Sequence, residues 1–363
     1  MCPLNVMENR QAPPIYKQNT SLKDKLKRYF FTWLRLTDRP VVKVYRGFAT
    51  DNQAIIHGSV FRRSALPRKK YRSNSWINLL SLIRLFLVKP LPQATVRLFI
   101  DGQTAETQSS ADGYFRLEIP LSQPLPAGWY PVRAELIDHA LMAEAARIEA
   151  QGEILVPHKT PFALISDIDD TFLISHSATV LKRLQVLITQ NAHTRQPFDG
   201  VVAHYQLLTE ANSGVGATNP FFYVSSSEWN LYDYILEFSR KNGLPEGVYL
   251  LSSLKQIGEL FRTGQNKHMT KFSRIVRILE AYPQQQFILL GDDTQEDPVI
   301  YASVVEHFPQ QIRCVYIRQV HQKNGSKTRA TLDRITAMGV LCCYFAHSAE
   351  ARQHSVEMGL TAS

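Results

Sequence analysis

The pattern after residue 157 constrains the fold of this chain most strongly. Apolar runs at 161–166, 220–226, 286–291, 312–317 and 340–345 alternate with amphipathic stretches such as 180–190, 229–241 and 271–282. Continuous apolar strands that alternate with helices are typical of a parallel sheet covered on both faces. The sequence therefore predicts a doubly wound α/β fold over residues 158–350, followed by a C-terminal tail at 351–363.

The preceding part of the chain has short β-branched and aromatic runs separated by turn residues. The runs are VVKVYRGF, AIIHGSVFR, ATVRLFIDG, GYFRLEI and WYPVRAELI, with turn signals such as Asp101-Gly102 and Asp112-Gly113 between them. Several short strands at this spacing are typical of a small antiparallel sandwich. We therefore expect a β-sandwich domain over residues 40–157, interrupted by a basic, aromatic-rich insertion near 62–89.

The charge of the chain favours a polyanionic partner. Lys and Arg number 41 against 32 Asp and Glu, a formal net charge of +9, and basic residues concentrate in the N-terminal segment 1–39 and in the insertion. The N-terminal segment has helical periodicity, so it either lies on an anionic membrane or packs on the protein with its lysines outward. The insertion is either a lipid-facing element or a helix that covers a sheet edge.

No segment typical of secretion or of a membrane span is apparent in the sequence. The residues MCPLNVMENRQAPP lack a basic n-region and an apolar h-region, and the most apolar run, 77–88, is short and contains Arg84. Both observations argue against a signal peptide and a membrane-spanning helix. The four cysteines lack zinc-ligand spacing and are expected to be reduced. We therefore expect a cytoplasmic protein, and peripheral contact with an anionic membrane through its basic segments is one of the two alternatives given above.

Polar side chains lie at the carboxyl ends of the predicted parallel strands, where doubly wound sheets form their sites. Asp167 and Asp169 follow the first strand, Ser225 follows the second, and Asp292 follows the third. Carboxylates two positions apart at a strand end converge if the chain still alternates, and their repulsion then requires a cation. An oxygen-only, carboxylate-rich site favours Mg²⁺ over Zn²⁺. With Lys271 before a predicted helix, these groups fit metal-assisted phosphoryl transfer to an aspartate nucleophile.

Each of these residues also has a structural interpretation. Asp170 and Asp293 are typical of turns or helix caps, and Ser226 or Ser227 is a suitable N-cap for the next helix. A single lysine such as Lys271 is usually solvated, and Lys267 is an alternative to it. The order of four such elements, each at the end of a strand or the start of a helix, favours the site.

That order resembles the haloacid dehalogenase superfamily, whose D-x-D-x-T motif matches Asp167, Asp169 and Thr171. The resemblance implies that Asp167 is the nucleophile that forms an aspartyl-phosphate and that Asp169 is the general acid and base. The phosphate ligands it implies are Thr171, Ser225, Ser226 and Lys271. The metal ligands it implies are Asp167, Asp169 and Asp292, with Asp293 and Asp297 as further candidates at or beside the metal.

Longer segments narrow the resemblance. ISDIDDT at 165–171, YVSSSEWNLYD at 223–233, GLPEG at 243–247 and FILLGDDTQEDPVIY at 287–301 are similar to the actin-patch type of phosphatidate phosphatase. ADGYF and GWYPV resemble the β-rich domain that precedes the catalytic domain in that family. The resemblance implies Mg²⁺-dependent hydrolysis of phosphatidate to diacylglycerol and phosphate. The chain departs from the family at Glu228, where the family usually has Pro, and in LLSSLKQIG, where it tends to an Arg-Asp-Trp-like segment.

Three functions follow from these observations. The first is a phosphatidate phosphatase acting at an anionic membrane, and the second is a phosphatase of the same mechanism for a soluble phosphomonoester or phosphoprotein. The third is a lipid- or protein-binding scaffold, against which the paired carboxylates argue because binding alone does not need them. Nucleic acid is not an expected partner, since no recognisable nucleic-acid module accompanies the positive charge.

Overall fold

The computed structural model describes residues 29, 36–37, 39–65, 84–137, 147–168, 197–253, 267–294 and 296–361. These residues form a mixed α/β structure with a nine-stranded sheet and a six-stranded sheet. Most of segment 1–39, most of the insertion at 62–89 and the predicted helix at 180–190 lie outside the described residues, so these predictions stay predictions. Among the described helices, none is long and apolar enough to cross a membrane.

The nine-stranded sheet is largely antiparallel. Its strands are β1 (Leu36–Thr37), β2 (Val41–Ala49), β3 (Gln53–Ala65), β4 (Lys89–Pro90), β5 (Thr95–Ile100), β6 (Gln103–Gln108), β7 (Tyr114–Pro120), β8 (Gly128–Leu136) and β9 (Ile148–Val156). Their order is β1-β3-β2-β9-β8-β5-β6, with β4 and β7 paired to β3 and with β2 parallel to β9. The five predicted runs form β2, β3, β5, β7 and β8. Strand β6 was not predicted because its sequence, QTAETQ, is mostly polar, and β9 was not predicted either.

This sheet curls around one core. Strand β3 pairs with β2 on one edge and with β7 on the other, and β7 also lies against β6 at the far end of the order. Along β5 the side chains alternate between buried and half-buried, as expected when one face of a strand is covered. The interior contains Val44, Ile56, Leu98, Phe115 and Val132. Because hydrogen bonds join the nine strands in one sheet, the predicted two-sheet sandwich is not confirmed.

The six-stranded sheet is parallel, as predicted. Its strands are β10 (Phe162–Ser166), β11 (Phe221–Glu228), β12 (Gly247–Ser252), β13 (Gln286–Asp292), β14 (Ile312–Arg318) and β15 (Leu341–Phe345). The described helices around it are α1 (Val201–Glu210), α2 (Tyr232–Lys241), α3 (Lys267–Ala281), α4 (Asp297–His307), α5 (Gly325–Ala337) and α6 (Ser348–Glu357). Each predicted apolar run forms a strand, whereas β12 was not predicted and α6 occupies part of the expected tail.

Helices cover both faces of the parallel sheet. On one face, Ile275 of α3 and Val304 of α4 belong to the same buried cluster as Ile165, and on the other, Leu208 of α1 belongs to the same cluster as Leu164. The strand order is β12-β11-β10-β13-β14-β15, so the chain leaves β10 first toward one edge and later toward the other. A doubly wound sheet forms its crevice at such a reversal, beyond the carboxyl ends of the strands. Here the reversal lies between β10 and β13.

The curled sheet docks on the parallel sheet through the buried residue Arg46 of β2. The Arg46 guanidinium contacts Glu246 at 3.0 Å and Glu153 at 3.3 Å, and its backbone N–H donates to the Tyr232 hydroxyl at 3.0 Å. Next to it, the Trp229 ring stacks on a tyrosine of β2 with ring centroids 4.1 Å apart. The guanidinium is buried, whereas the side chains of Glu246 and Glu153 are exposed. The two sheets therefore meet in a defined contact beside the carboxyl end of β11.

Candidate active site

Three buried carboxylates meet at the crevice between β10 and β13. Asp167 follows β10, Asp292 ends β13, and Asp297 is the first residue of α4. Their carboxylate oxygens lie within 4.8 Å of one another, and the most exposed of the three residues has 1% of its surface accessible. Like charges at this spacing repel strongly in a buried site, so the cluster requires positive charge beside it.

Lys271 supplies positive charge to this cluster. Its Nζ donates a 2.7 Å hydrogen bond to Asp167 Oδ1 and also binds Asp297 Oδ1, and only 2% of the lysine side chain is exposed. Burial by itself would lower the pKa of Lys271, but the carboxylates of Asp167 and Asp297 outweigh burial and raise that pKa above its ordinary value. The lysine is therefore a cation at neutral pH.

The backbone around β13 allows the third carboxylate to approach. A Cβ atom at Gly291 would lie 2.7 Å from Asp297 Oδ2 and 2.8 Å from the Tyr301 ring, so glycine is required there. Thr294 closes a tight turn, since its N–H and its hydroxyl each donate to Asp292 Oδ1 at 2.5 Å. These contacts set the positions of Asp292 and Asp297 relative to each other.

A chain of hydroxyl groups supports the backbone of Asp167. Ser166 Oγ donates to the carbonyl oxygen of Asp167 at 2.7 Å, and the Tyr205 hydroxyl of α1 lies 2.8 Å from Ser166 Oγ. Because the serine proton is used on the carbonyl, the tyrosine donates to the serine. Asp167 N–H donates to the carbonyl of Leu290 at 2.8 Å, which continues the pairing of β10 with β13. Asp167 is therefore held on both sides of its Cα.

Asp293 lies next to the cluster in sequence but takes part in a different set of contacts. Its Oδ1 accepts the N–H groups of Val320 at 2.8 Å and His321 at 3.1 Å, and its Oδ2 accepts the Tyr344 hydroxyl at 2.7 Å. Asp293 thus holds the loop after β14 and is not among the three clustered carboxylates. Asp293 and Asp297 were both further candidates at or beside the metal. Of these two, Asp297 lies in the cluster with Asp167, and Asp293 does not.

The serines predicted to bind phosphate lie at the end of β11 and are buried. Ser225 Oγ accepts the backbone N–H of Ser227 at 2.8 Å, and the carbonyl oxygen of Ser225 accepts Arg274 Nη1 at 3.1 Å. The strand continues through Ser226 and Ser227 to Glu228, and none of them caps the following helical turn through its side chain. The serines therefore shape the end of the strand rather than the start of the helix.

The comparison with protein families bears directly on this site. Residues 162–319, from β10 to just past β14, match the model of the phosphatidate phosphatase APP1 catalytic domain. This part of the chain is similar to the APP1 catalytic domain. The matched residues contain Asp167, Lys271, Asp292 and Asp297, and they confirm the resemblance seen in the sequence.

Two curated relatives also match the chain, and the longer of the two matches extends beyond residues 162–319. The chain is 27% identical over 321 residues to phosphatidate phosphatase APP1 of Saccharomyces cerevisiae, a match that covers 84% of this chain and 52% of the yeast protein. It is 23% identical over 171 residues to an uncharacterised protein of Schizosaccharomyces pombe, a match that covers 47% of this chain and 27% of that protein. The chain therefore spans about half the length of the yeast relative.

Solved structures show weaker likeness. A carbohydrate acetylesterase from Xanthomonas citri aligns with a TM-score of 0.32 and 11% identity over 88% of this chain and 73% of its own. A minor pilin, PilB of Streptococcus sanguinis, aligns with a TM-score of 0.28 and 9% identity over 74% of this chain and 87% of its own.

Some predicted residues of the APP1-type domain lie outside the described residues, namely Asp169, Asp170 and Thr171. For Lys267 the structure gives the backbone, at the first position of α3, one turn before Lys271. Sequence reasoning did not identify the supporting hydroxyls of Ser166 and Tyr205. Ser166 directly precedes the aspartate motif and was open to prediction, whereas Tyr205 reaches the site only through the packing of α1.

Proposed function

We propose that this protein hydrolyses phosphatidate to diacylglycerol and phosphate with Mg²⁺, through an aspartyl-phosphate on Asp167. The observation that supports this most is the buried cluster of Asp167, Asp292 and Asp297 around Lys271 within an APP1-type catalytic domain. A haloacid dehalogenase-like fold is part of the proposal, because such a fold places an aspartate nucleophile at the carboxyl end of the first parallel strand. The domain limits of 40–157 and 158–350 belong to the same proposal.

The donor set suits a divalent cation of the Mg²⁺ type. The buried cluster contains three carboxylates and one ammonium, that of Lys271, which binds two of the carboxylates. The cluster therefore has an excess of negative charge. Carboxylate oxygens are the ligands that Mg²⁺ prefers. Asp167 and Asp292 would hold the ion together with Asp169, and Asp297 would lie at or beside it. When bound, Mg²⁺ would offset the charge of the phosphoryl oxygens.

Residues of the chain would then transfer the phosphoryl group twice, first from phosphatidate to Asp167 and then from Asp167 to water. A carboxylate oxygen of Asp167 attacks phosphorus as the bond from phosphorus to the glycerol oxygen breaks. Asp169 donates a proton to the glycerol oxygen, and diacylglycerol leaves. Asp169 next takes a proton from water, whose oxygen attacks phosphorus while the bond to Asp167 breaks. The products are phosphate and the original carboxylate. Splitting the reaction in this way replaces one difficult step with two easier ones.

Lys271 and the β11 serines would bind the phosphoryl oxygens. Lys271 Nζ lies 2.7 Å from Asp167 Oδ1, so a phosphoryl group next to that carboxylate comes within reach of the ammonium. Thr171, Ser225 and Ser226 would donate from the neighbouring strand ends. Preorganised donors of this kind stabilise the charge on the transferring group without reorganisation.

Access to a lipid substrate requires contact with a membrane surface. We infer that the protein is cytoplasmic and reaches phosphatidate through its basic segments, since juxtaposed basic and apolar residues bind anionic leaflets. The net charge of +9 supports this.

The proposal predicts that removing the metal abolishes activity. Phosphate release from phosphatidate in mixed micelles should fall to background with chelator and return with Mg²⁺, because charge on the phosphoryl oxygens would otherwise oppose attack by a carboxylate. A soluble phosphomonoester assayed in parallel, with and without micelles, provides the comparison. Phosphate release from the soluble ester but not from phosphatidate would show that the substrate is a soluble phosphomonoester. Phosphate release that persists in chelator would contradict the proposed metal requirement.

A further inference from the structure

A further cleft, separate from the carboxylate cluster, lies where the curled sheet meets the parallel sheet. It has an empty volume of about 420 Å³, part of which is open to solvent. Its lining combines apolar and aromatic side chains with basic ones, and the basic ones are Arg116, Arg274 and Arg277 with His57. Arg116 and His57 come from the curled sheet and the other two from α3, so both halves of the structure contribute.

Tyr114 lines the cleft together with the three arginines. Burial raises the pKa of Tyr114 to about 12, and Arg116, Arg277 and Arg274 each act to lower it. Arg116 pairs with Glu118 on the exposed side of β7 at 2.6 Å. Within the described part of the chain, Arg274 and Arg277 form no ion pair with a carboxylate, and burial lowers the pKa of Arg274 to about 10. Three arginines around one cleft, two of them without a carboxylate partner among the described residues, favour an anion.

His57 provides an independent sign of a ligand. The residue is 1% exposed, and among the described residues its Nε2 has no hydrogen-bond partner. Buried polar atoms normally have a partner, so an orphaned one in the wall of a cleft indicates a group that binds there. Burial and the neighbouring Arg116 lower the pKa of His57 to about 3, so the ring is neutral at neutral pH and its Nε2 can accept a hydrogen bond from a phosphate hydroxyl.

The cleft is joined to the candidate active site by Arg274. This residue lies one turn after Lys271 on α3, and it holds the carbonyl oxygen of Ser225 at 3.1 Å and Ser252 Oγ at 3.3 Å. A phosphate ion fits this small space and the fork geometry of arginine.

We propose that the cleft between Arg116, Arg274, Arg277 and His57 binds a phosphate group that is not hydrolysed. The ligand is either free phosphate or the phosphate of a lipid headgroup, which share the chemistry that the arginines recognise. The site is separate from the carboxylate cluster, and binding there does not require the reaction proposed above. It gives the curled sheet a part in anion recognition next to the catalytic domain.

Binding measurements without turnover test this proposal. Inorganic phosphate is titrated calorimetrically into the full chain in chelator, where the three carboxylates of the other site repel the anion. Flotation with phosphatidylcholine vesicles, plain or doped with phosphatidate, tests a lipid source under the same conditions. The variant is R116Q/R277Q, since both arginines are exposed and their loss spares the core. The charge-matched control is R97Q/R334Q, since both residues lie in exposed ion pairs outside the cleft.

We expect R116Q/R277Q to weaken phosphate binding about tenfold, because two charge-assisted contacts are lost, while R97Q/R334Q binds as the wild type does. A selective loss with free phosphate supports the site with phosphate as ligand. A selective loss confined to phosphatidate vesicles supports the same site with a lipid headgroup as ligand. Unchanged binding of both probes in a folded R116Q/R277Q variant overturns the proposal, as does equal weakening in the control.

Discussion

Replacement of Asp167 by asparagine should reduce phosphate release from phosphatidate on the order of 10⁴-fold. The carboxamide keeps the shape of the side chain but is a poor nucleophile, and it removes a negative charge from the proposed metal site. Lys271 retains its contact with Asp297, so the chain should stay folded. Initial rates in mixed micelles with Mg²⁺ measure the effect, with circular dichroism as the test of folding.

Asp333→Asn is the matched control for this substitution. Asp333 is exposed on α5, so the same chemical change there should leave the rate within about twofold of wild type, as for surface substitutions generally. A folded Asp167→Asn enzyme that keeps more than about a tenth of the wild-type rate would exclude Asp167 as the nucleophile.

Replacement of Lys271 by methionine should lower the free energy of unfolding by about 3–5 kcal/mol, the usual range when one partner of a buried ion pair is removed. Methionine preserves much of the length of the side chain but leaves Asp167 and Asp297 buried without their shared cation. Urea unfolding of the full chain in chelator measures the difference. Lys327→Met, at an exposed position of α5, is the control and should be close to neutral.

The pH dependence of this stabilisation has a definite sign. Because the folded pKa of Lys271 is raised, its contribution is fully present below the pKa of free lysine and is lost only as pH rises through the folded pKa. The difference between wild type and Lys271→Met should therefore persist from neutral pH to about pH 10. A difference below about 1 kcal/mol would be typical of an exposed ion pair and would contradict the buried contact.

The parallel sheet was predictable because its strands are short, continuous apolar runs separated by helical periodicity. That regularity also placed Asp167 and Asp292 at one edge, since carboxyl ends of parallel strands share an edge. The curled sheet was less predictable. Its closure depends on β3 pairing with both β2 and β7. Pairing between strands that are distant in the chain cannot be predicted from the local sequence pattern.

The difference between Asp293 and Asp297 shows the same limit within the site. Both follow β13 as acidic residues in one short stretch, and both were candidates at or beside the metal, although Asp293 also suited a turn or a helix cap. In the structure the Asp293 carboxylate accepts hydrogen bonds from the loop after β14 and from the Tyr344 hydroxyl. The Asp297 carboxylate instead binds Lys271, and the absence of a side chain at Gly291 leaves room for it. These contacts come from parts of the chain that only tertiary packing brings together.

The proposed aspartyl-phosphate on Asp167 can be detected directly. The enzyme is mixed with phosphatidate carrying a labelled phosphate in the presence of Mg²⁺, quenched in acid within one turnover, and digested for mass spectrometry. The account predicts a labelled phosphate on the peptide that contains Asp167. Complete hydrolysis of phosphatidate with no protein-bound phosphate at any time, or with the label on another residue, would contradict it.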